Sequence, residues 1–250
     1  MNLLIEAVQW LFSPERLEGS NPIPVRIEEH LFYTFFAVIV AALIAVPLGF
    51  YIGHTGKGRD FAVGLSGAAR ALPSFGLILL LVLLIGVTQV QLQLATITAF
   101  VLLAIPSILA GAYAGIEAVD RRVIDAARAV GMTEWQILWK VEVPLGLPLL
   151  IGGLRAATLQ VVATATLAAY VGLGGLGIYI FRGLPLQRYE EMLGSALLIA
   201  ALALVLDGIF ALIQQFAVPR GVSAGRAKDV RTSSTRRRAV AAKPAQERRG

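Results

Sequence analysis

Long uncharged apolar runs alternate along this chain with short charged or glycine-rich breaks, and each run is long enough to cross a bilayer as a helix. Leu31 to Gly53 holds no charged side chain and predicts a first span. Ala71 to Ile116 is too long for one helix and loses hydropathy across Gly86-Val-Thr-Gln-Val-Gln-Leu-Gln93, so it holds two. The earlier of these begins near Val63, which puts Arg70 at an interface or in a protein interior, and the later runs from Leu94 to Gly115. Leu147 to Val171 and Met192 to Val218 complete five spans, interrupted by Arg155 and Asp207, two charges of opposite sign. Ahead of them, Met1 to Phe12 is amphipathic with Glu6 inside it and has no basic leading region; it reads as an interfacial helix followed by a turn-rich connector, not as a secretory signal. The fold class is therefore all-α, a polytopic membrane protein of five transmembrane helices.

One break is unlike the others. Glu117 to Pro144, EAVDRRVIDAARAVGMTEWQILWKVEVP, is a charged island between spans three and four. Val119 to Val130 sets Asp120, Arg121, Arg122, Asp125 and Arg128 around Val123, Ile124, Ala126, Ala127 and Val130, an amphipathic helical pattern with small residues on one side. Gly131 supplies a helix C-terminus, Thr133 with Gln136 makes a capping box for a second helix bearing Trp135 and Trp139, and Pro144 predicts its stop. Two short helices joined at a glycine form a stiff knob that can enter a cleft on another protein.

The spacing of this island adds to that reading. Asp125-Ala126-Ala127, then Gly131 after three residues, then Val141-Glu142-Val143-Pro144 after nine more, resembles the EAA loop (E-A-A-x3-G-x9-I-x-L-P) of permease subunits from binding-protein-dependent ABC importers. Asp125 stands for Glu, and Val141 and Val143 for Ile and Leu, which keeps charge sign and apolar character. Glu29-His30-Leu31, Val46-Pro47-Leu48-Gly49, Leu72-Pro73-Ser74, Gly131-Met132-Thr133 and the Gly172 to Gly177 run look like the osmoprotectant (glycine betaine/carnitine/choline) branch, over roughly Glu28 to Val218. Methionine-importer permeases share the EAA spacing and a related glycine-rich segment. The resemblance implies a type I importer architecture, with residues 28–218 as the permease domain and 117–144 as its coupling loop. It also implies a cytoplasmic ATPase as partner, an external solute-binding protein, a second permease subunit (identical or paralogous), and no cofactor bound here.

Other residues fit a transport role with ordinary structural alternatives beside them. Gln160 and Thr164 lie one helical turn apart in span four with Thr158, Thr166 and Tyr170 nearby, and could line a pathway, although threonine also bonds its own helix carbonyls. Gly172, Gly174, Gly175 and Gly177 can fold tightly at the end of that span, either as an external gate or as a plain turn. Pro47, Pro73 and Pro106 bend spans, and Gly111 with Gly115 has helix-packing spacing. The aromatic rings of spans two to five, Phe75, Phe100, Tyr113, Tyr170, Phe210 and Phe216, fall at no helical spacing, which speaks against a quaternary-ammonium cage within one subunit.

Catalytic signatures are missing. Gly56-Lys57 lacks both the Ser/Thr and the strand-to-helix context of a phosphate loop, and His30 and His54 stand at opposite ends of span one, too far apart to share a metal. With 57% hydrophobic and 15% charged residues and no cysteine, the chain offers neither a thiolate site nor a soluble enzyme core. Lys57, Arg59, the island's basic residues and the tail fall on one face, so the positive-inside rule puts the island and the C-terminus in the cytoplasm and the N-terminus outside a bacterial plasma membrane. Residues 219–250 form a basic, disordered tail: ten Lys and Arg against two Asp and Glu give +8 within a total of +6, a topology signal or lipid contact and not a nucleic-acid site. The reading from another class is an ion-coupled secondary transporter, for which Asp207 is the lone intramembrane acid.

Overall fold

The structure, a computed structural model, describes residues 2–19, 21–60, 62–64, 67 and 73–217; Arg70, Leu72 and the basic tail lie outside them. The described residues are helical, without strands. In chain order these are α1 (Asn2–Leu11), α2 (Pro14–Glu18), α3 (Ile23–Thr55), α4 (Ser74–Ile85), α5 (Gln89–Glu117), α6 (Arg121–Ala129), α7 (Glu134–Ile137), α8 (Val143–Ala165), α9 (Gly177–Leu186) and α10 (Tyr189–Ala217). α3, α5, α10 and the continuous helical stretch Glu134–Val171 are each long and apolar enough to cross a membrane, and α4 is a shorter apolar helix. Spans one, three, four and five match the four long helices, which are longer than the apolar runs alone mark; of the second span, predicted from near Val63, residues 65, 66 and 68–72 lie outside the described ones and α4 supplies 12 residues. α5 begins at Gln89 and not at Leu94, because Thr88 and Gln91 form a capping box: Gln91 N–H donates to the Thr88 hydroxyl, and Thr88 N–H to Gln91 Oε1.

The prediction that the second island helix stops at Pro144 is overturned. The chain stays helical from Glu134 to Val171, passing Pro144 at the start of α8. A proline inside an α-helix has no N–H to give and crowds the carbonyl four residues back. Here a π turn, Leu138–Glu142, precedes it, and Val143 N–H reaches back to the Leu138 carbonyl, so the wider turn absorbs the misfit. α7 is thus the first turn of the helix that crosses as span four.

Small residues set the packing. A Cβ on Gly111 would lie 2.7 Å from Gly153 Cα, and one on Gly115 2.6 Å from the Gly146 carbonyl oxygen, so α5 and α8 meet backbone to backbone at the spacing the sequence suggested. On the other side of α5, Gly49 and Gly53 of α3 press against Ala112 and Ile116. Phe100, Ile108 and Leu109 of α5 fill the centre with Ala41 and Ala45 of α3, Ile78 and Val82 of α4, and Val161 of α8. Burial ranks the helices: 56% of the apolar window of α5 is buried, against 6% for α10, which leaves α10 open to lipid or to another chain. α1 lies against α10, with Trp10 over Gly194, and leaves Leu4 and Ile5 exposed.

Candidate functional site

Two sites sit at opposite ends of α3, a helix of 33 residues and so about 50 Å long. At the island end, Asp120 caps α6 by accepting from Arg122 N–H at 2.9 Å. α6 closes in a paired C-terminal lock: Met132 N–H donates to the Ala127 carbonyl and Gly131 N–H to that of Arg128, with Gly131 at φ 85°. Thr133 and Gln136 then make the predicted capping box. Across the joint, Arg128 grips Glu134 through Nε and Nη2 at 2.7 and 3.0 Å and approaches Asp125 at 3.4 Å. The hydrogen bond to Glu134 raises the Arg128 pKa further above its ordinary value, so the clamp is charged at any physiological pH.

The predicted residues divide between faces. Asp125, Ala126 and Gly131 are exposed, whereas Ala127 is buried against its own chain, and Val141 and Pro144 are half-buried in the helical stretch leading to span four. The outward face therefore carries Asp125 and Ala126 with Arg121, Arg122 and Val130, and Ala127 holds α6 down. Sequence reasoning missed the anchor beneath. His54, at the end of α3, donates from Nδ1 to Glu142 at 2.6 Å, and its Nε2 stands 3.5 Å from Glu134. Glu142 is only 3% exposed, so the imidazole satisfies a carboxylate that would otherwise be buried alone. Eighty-eight residues separate the pair, too many for local pattern to join them.

At the other end of α3, the glycine run folds over Glu29 and His30. Gly172 at φ 87° and Gly175 at φ 77° take left-handed turns. A Cβ on Gly177 would collide with the Thr166 carbonyl oxygen, and one on Gly174 with Glu29. Gly175 N–H donates to Glu29 Oε2 at 2.7 Å, which also accepts from Arg26 at 2.7 Å. The fully buried His30 bridges two elements: its Nε2 donates to the Val162 carbonyl at 3.0 Å and its Nδ1 accepts from Leu176 N–H at 3.4 Å. Burial raises the phenol pKa of Tyr179, whose O–H closes the knot on the Asn21 carbonyl. Nearby, the buried Glu191 lies 3.7 to 3.9 Å from Arg16, Arg182 and Arg188.

Between these ends, Gln160 accepts from the Ser107 hydroxyl at 3.3 Å, and its backbone carbonyl takes the Thr164 hydroxyl at 2.8 Å. Thr158 likewise bonds the Leu154 carbonyl. Both threonines thus take the structural alternative, although Thr164 with Thr166 also lines a groove of about 540 Å³ bounded by Ser74, Ile180 and the small side chains of α10. Arg155 and Asp207, matched only by sign in the sequence, form a two-pronged ion pair with both contacts at 2.5 Å. Two of the six scattered rings meet, Tyr170 and Phe75 at 5.1 Å, and Phe181 of α9, outside that set, joins Tyr170 at 5.4 Å. Among the described residues no cluster of His and carboxylates suits a metal ion.

The comparisons agree with this geometry. Residues 45–222 match the family described as "Binding-protein-dependent transport system inner membrane component". The chain is 33% identical over 194 residues to the glycine betaine/carnitine/choline transport system permease protein OpuCB of Bacillus subtilis, covering 78% of this chain and 88% of that one. It is 32% identical over 209 residues to the carnitine transport permease protein OpuCB of Listeria monocytogenes, covering 84% and 94%. Among solved structures it resembles the MetNI methionine ABC transporter in an inward-facing form, with TM-score 0.68 and 20% identity over 79% of this chain and 96% of that one, a likeness of fold. With the family model spanning most of the chain, the protein belongs to the inner-membrane permease subunits of binding-protein-dependent ABC importers, non-catalytic helical subunits that work with a separate ATPase and a binding protein.

Proposed function

We propose that this chain forms half of the membrane pathway of an importer for quaternary-ammonium osmoprotectants, and that Asp125, Ala126, Ala127, Gly131, Val141 and Pro144 belong to the loop on which the ATPase acts. The observation that carries the coupling role is continuity: α6 is clamped by Arg128 to Glu134, and Glu134 begins the helical stretch that runs through the π turn into span four. A push on the exposed face of α6 is therefore delivered to α8. Small and charged residues on that face suit a close, polar contact with a second protein.

The substrate class rests on the relatives, whose names give glycine betaine, carnitine and choline. The two faces of the membrane follow from the Lys and Arg count, with the island and C-terminus cytoplasmic and the N-terminus outside. Gly172, Gly174, Gly175 and Gly177 then lie at the outer mouth as part of a gate, fastened to Glu29 and His30, with Tyr170 beside them and Gln160 and Thr164 further along the route. A second permease subunit is favoured by α10: the Arg155–Asp207 pair is about a third exposed in the single chain, and charge facing lipid is expensive, so another protein surface covers it. The test is solute-stimulated ATP hydrolysis by the reconstituted assembly with its binding protein. Glycine betaine, carnitine or choline stimulates hydrolysis and methionine does not; stimulation by methionine alone would replace this substrate class.

A further inference from the structure

The groups left over after the coupling loop and the glycine knot include one cluster with ligand-binding chemistry. Tyr170 lies in the 3₁₀ turn Thr166–Val171 at the end of span four, Phe75 in the first turn of α4 and Phe181 in α9. Three separate elements thus deliver one ring each to a single place. Tyr170 stands at 79° to Phe75 and 65° to Phe181, so its ring is steeply inclined to both of its neighbours. A stack would offer one face; steeply inclined rings make a corner, the shape that a tetrahedral trimethylammonium group can touch with several methyls at once.

The cluster is also open. Phe100 and Tyr179, rings that serve the core, are fully buried, whereas Tyr170 is 57% exposed and Phe75 and Phe181 are half-buried. A Cβ on Gly172, two residues beyond Tyr170, would meet no atom within 4 Å, so the end of that turn is uncrowded. Chain neighbours of the two phenylalanines, Ser74 and Ile180, line the groove of about 540 Å³ that Thr164 and Thr166 share. Exposed aromatic area at a helix end has a bland use as an interfacial belt, but belt residues stand along one surface and do not converge from three elements.

We infer that Phe75, Tyr170 and Phe181 form a low-affinity cation–π site for the trimethylammonium group of the transported solute, at the glycine-run end of the bundle. This rests on the quaternary-ammonium reading above. The site is one subunit's own and is distinct from any capture by the external binding protein. A transit site has to release its cargo, and a few half-exposed rings supply the modest attraction that this requires.

The experiment uses the full permease–ATPase assembly in nanodiscs without binding protein, probed with choline and with its neutral isostere 3,3-dimethylbutanol, reading saturation transfer to the methyl protons. Choline binds in roughly the millimolar range and the isostere does not. Tyr170→Leu and Phe181→Leu keep bulk but lose the π face and weaken choline about threefold, and Tyr170→Phe, which keeps the ring, binds choline more tightly than Tyr170→Leu does. Equal binding by the Leu and Phe variants, or equal binding of the isostere, overturns the site. Uptake of choline, glycine betaine and carnitine by the complete assembly is measured in parallel. Uptake that persists with ring-independent binding sinks this inference alone, whereas no uptake of any of them sinks the substrate reading and the site with it.

Discussion

Gly131 offers the sharpest perturbation of the coupling loop, because its conformation and its surroundings make separate demands. It sits at φ 85°, and a Cβ built on it meets nothing within 4 Å. Bulk is therefore not the obstacle to substitution in this chain; the left-handed backbone is. A β-branched residue there costs on the order of 1–3 kcal/mol, whereas asparagine tolerates the region. The two hydrogen bonds of the lock, Met132 to Ala127 and Gly131 to Arg128, depend on that turn. Isolated nine-residue helices are marginal, so α6 has little stability of its own to spend against the strain. Taking 2 kcal/mol as central, Gly131→Val shifts the set joint toward an unset one by roughly 30-fold. Gly131→Asn shifts it little. In proteoliposomes the Val variant keeps ATP hydrolysis but loses solute moved per ATP, and the Asn variant resembles the unaltered protein. Equal, normal coupling in both would refute the claim that this joint transmits the stroke.

Gly111→Val or Gly115→Val forces α5 from α8 and lowers the melting temperature in detergent, at a cost of about 1–3 kcal/mol, while Gly152→Ala, whose nearest neighbour is 3.9 Å away, leaves it unchanged. Asp207→Ala strands Arg155 within the membrane and reduces the protein recovered there more than the double change Arg155→Met with Asp207→Leu; equal recovery of the two would show the pair to be dispensable. The chain has no cysteine, so Gln91→Cys and Asn21→Cys react with an impermeant thiol reagent in intact cells and Glu134→Cys only after permeabilisation; labelling of the last in intact cells would invert the orientation.

The sequence made plain whatever is local. Thr133 and Gln136 lie three residues apart, Gly131 follows an amphipathic turn, and Gly111 and Gly115 share a helix face, so each could be read from spacing. Pro144 misled because proline ordinarily ends a helix, and nothing in composition signals a π turn that absorbs it. The long-range ties were illegible for a different reason: His54 with Glu142, His30 with Val162 and Leu176, and Arg155 with Asp207 are brought together by helix packing across 52 to 146 residues. The contact of Tyr170 with Phe75 belongs to the same class, since helix packing brings α4 to the end of span four, whereas Phe181 stands on the helix that follows Tyr170 in the chain.

The claim that ATP hydrolysis in a partner drives this pathway separates it most cleanly from ion-coupled transport. Proteoliposomes holding the permease with its ATPase and binding protein, loaded so that ATP and the ion gradients can be imposed separately, measure it directly. Radiolabelled glycine betaine accumulates when ATP is present and every ion gradient is collapsed, and stops when the binding protein or the ATPase is left out. Accumulation driven by a sodium or proton gradient with the ATPase absent would contradict the account.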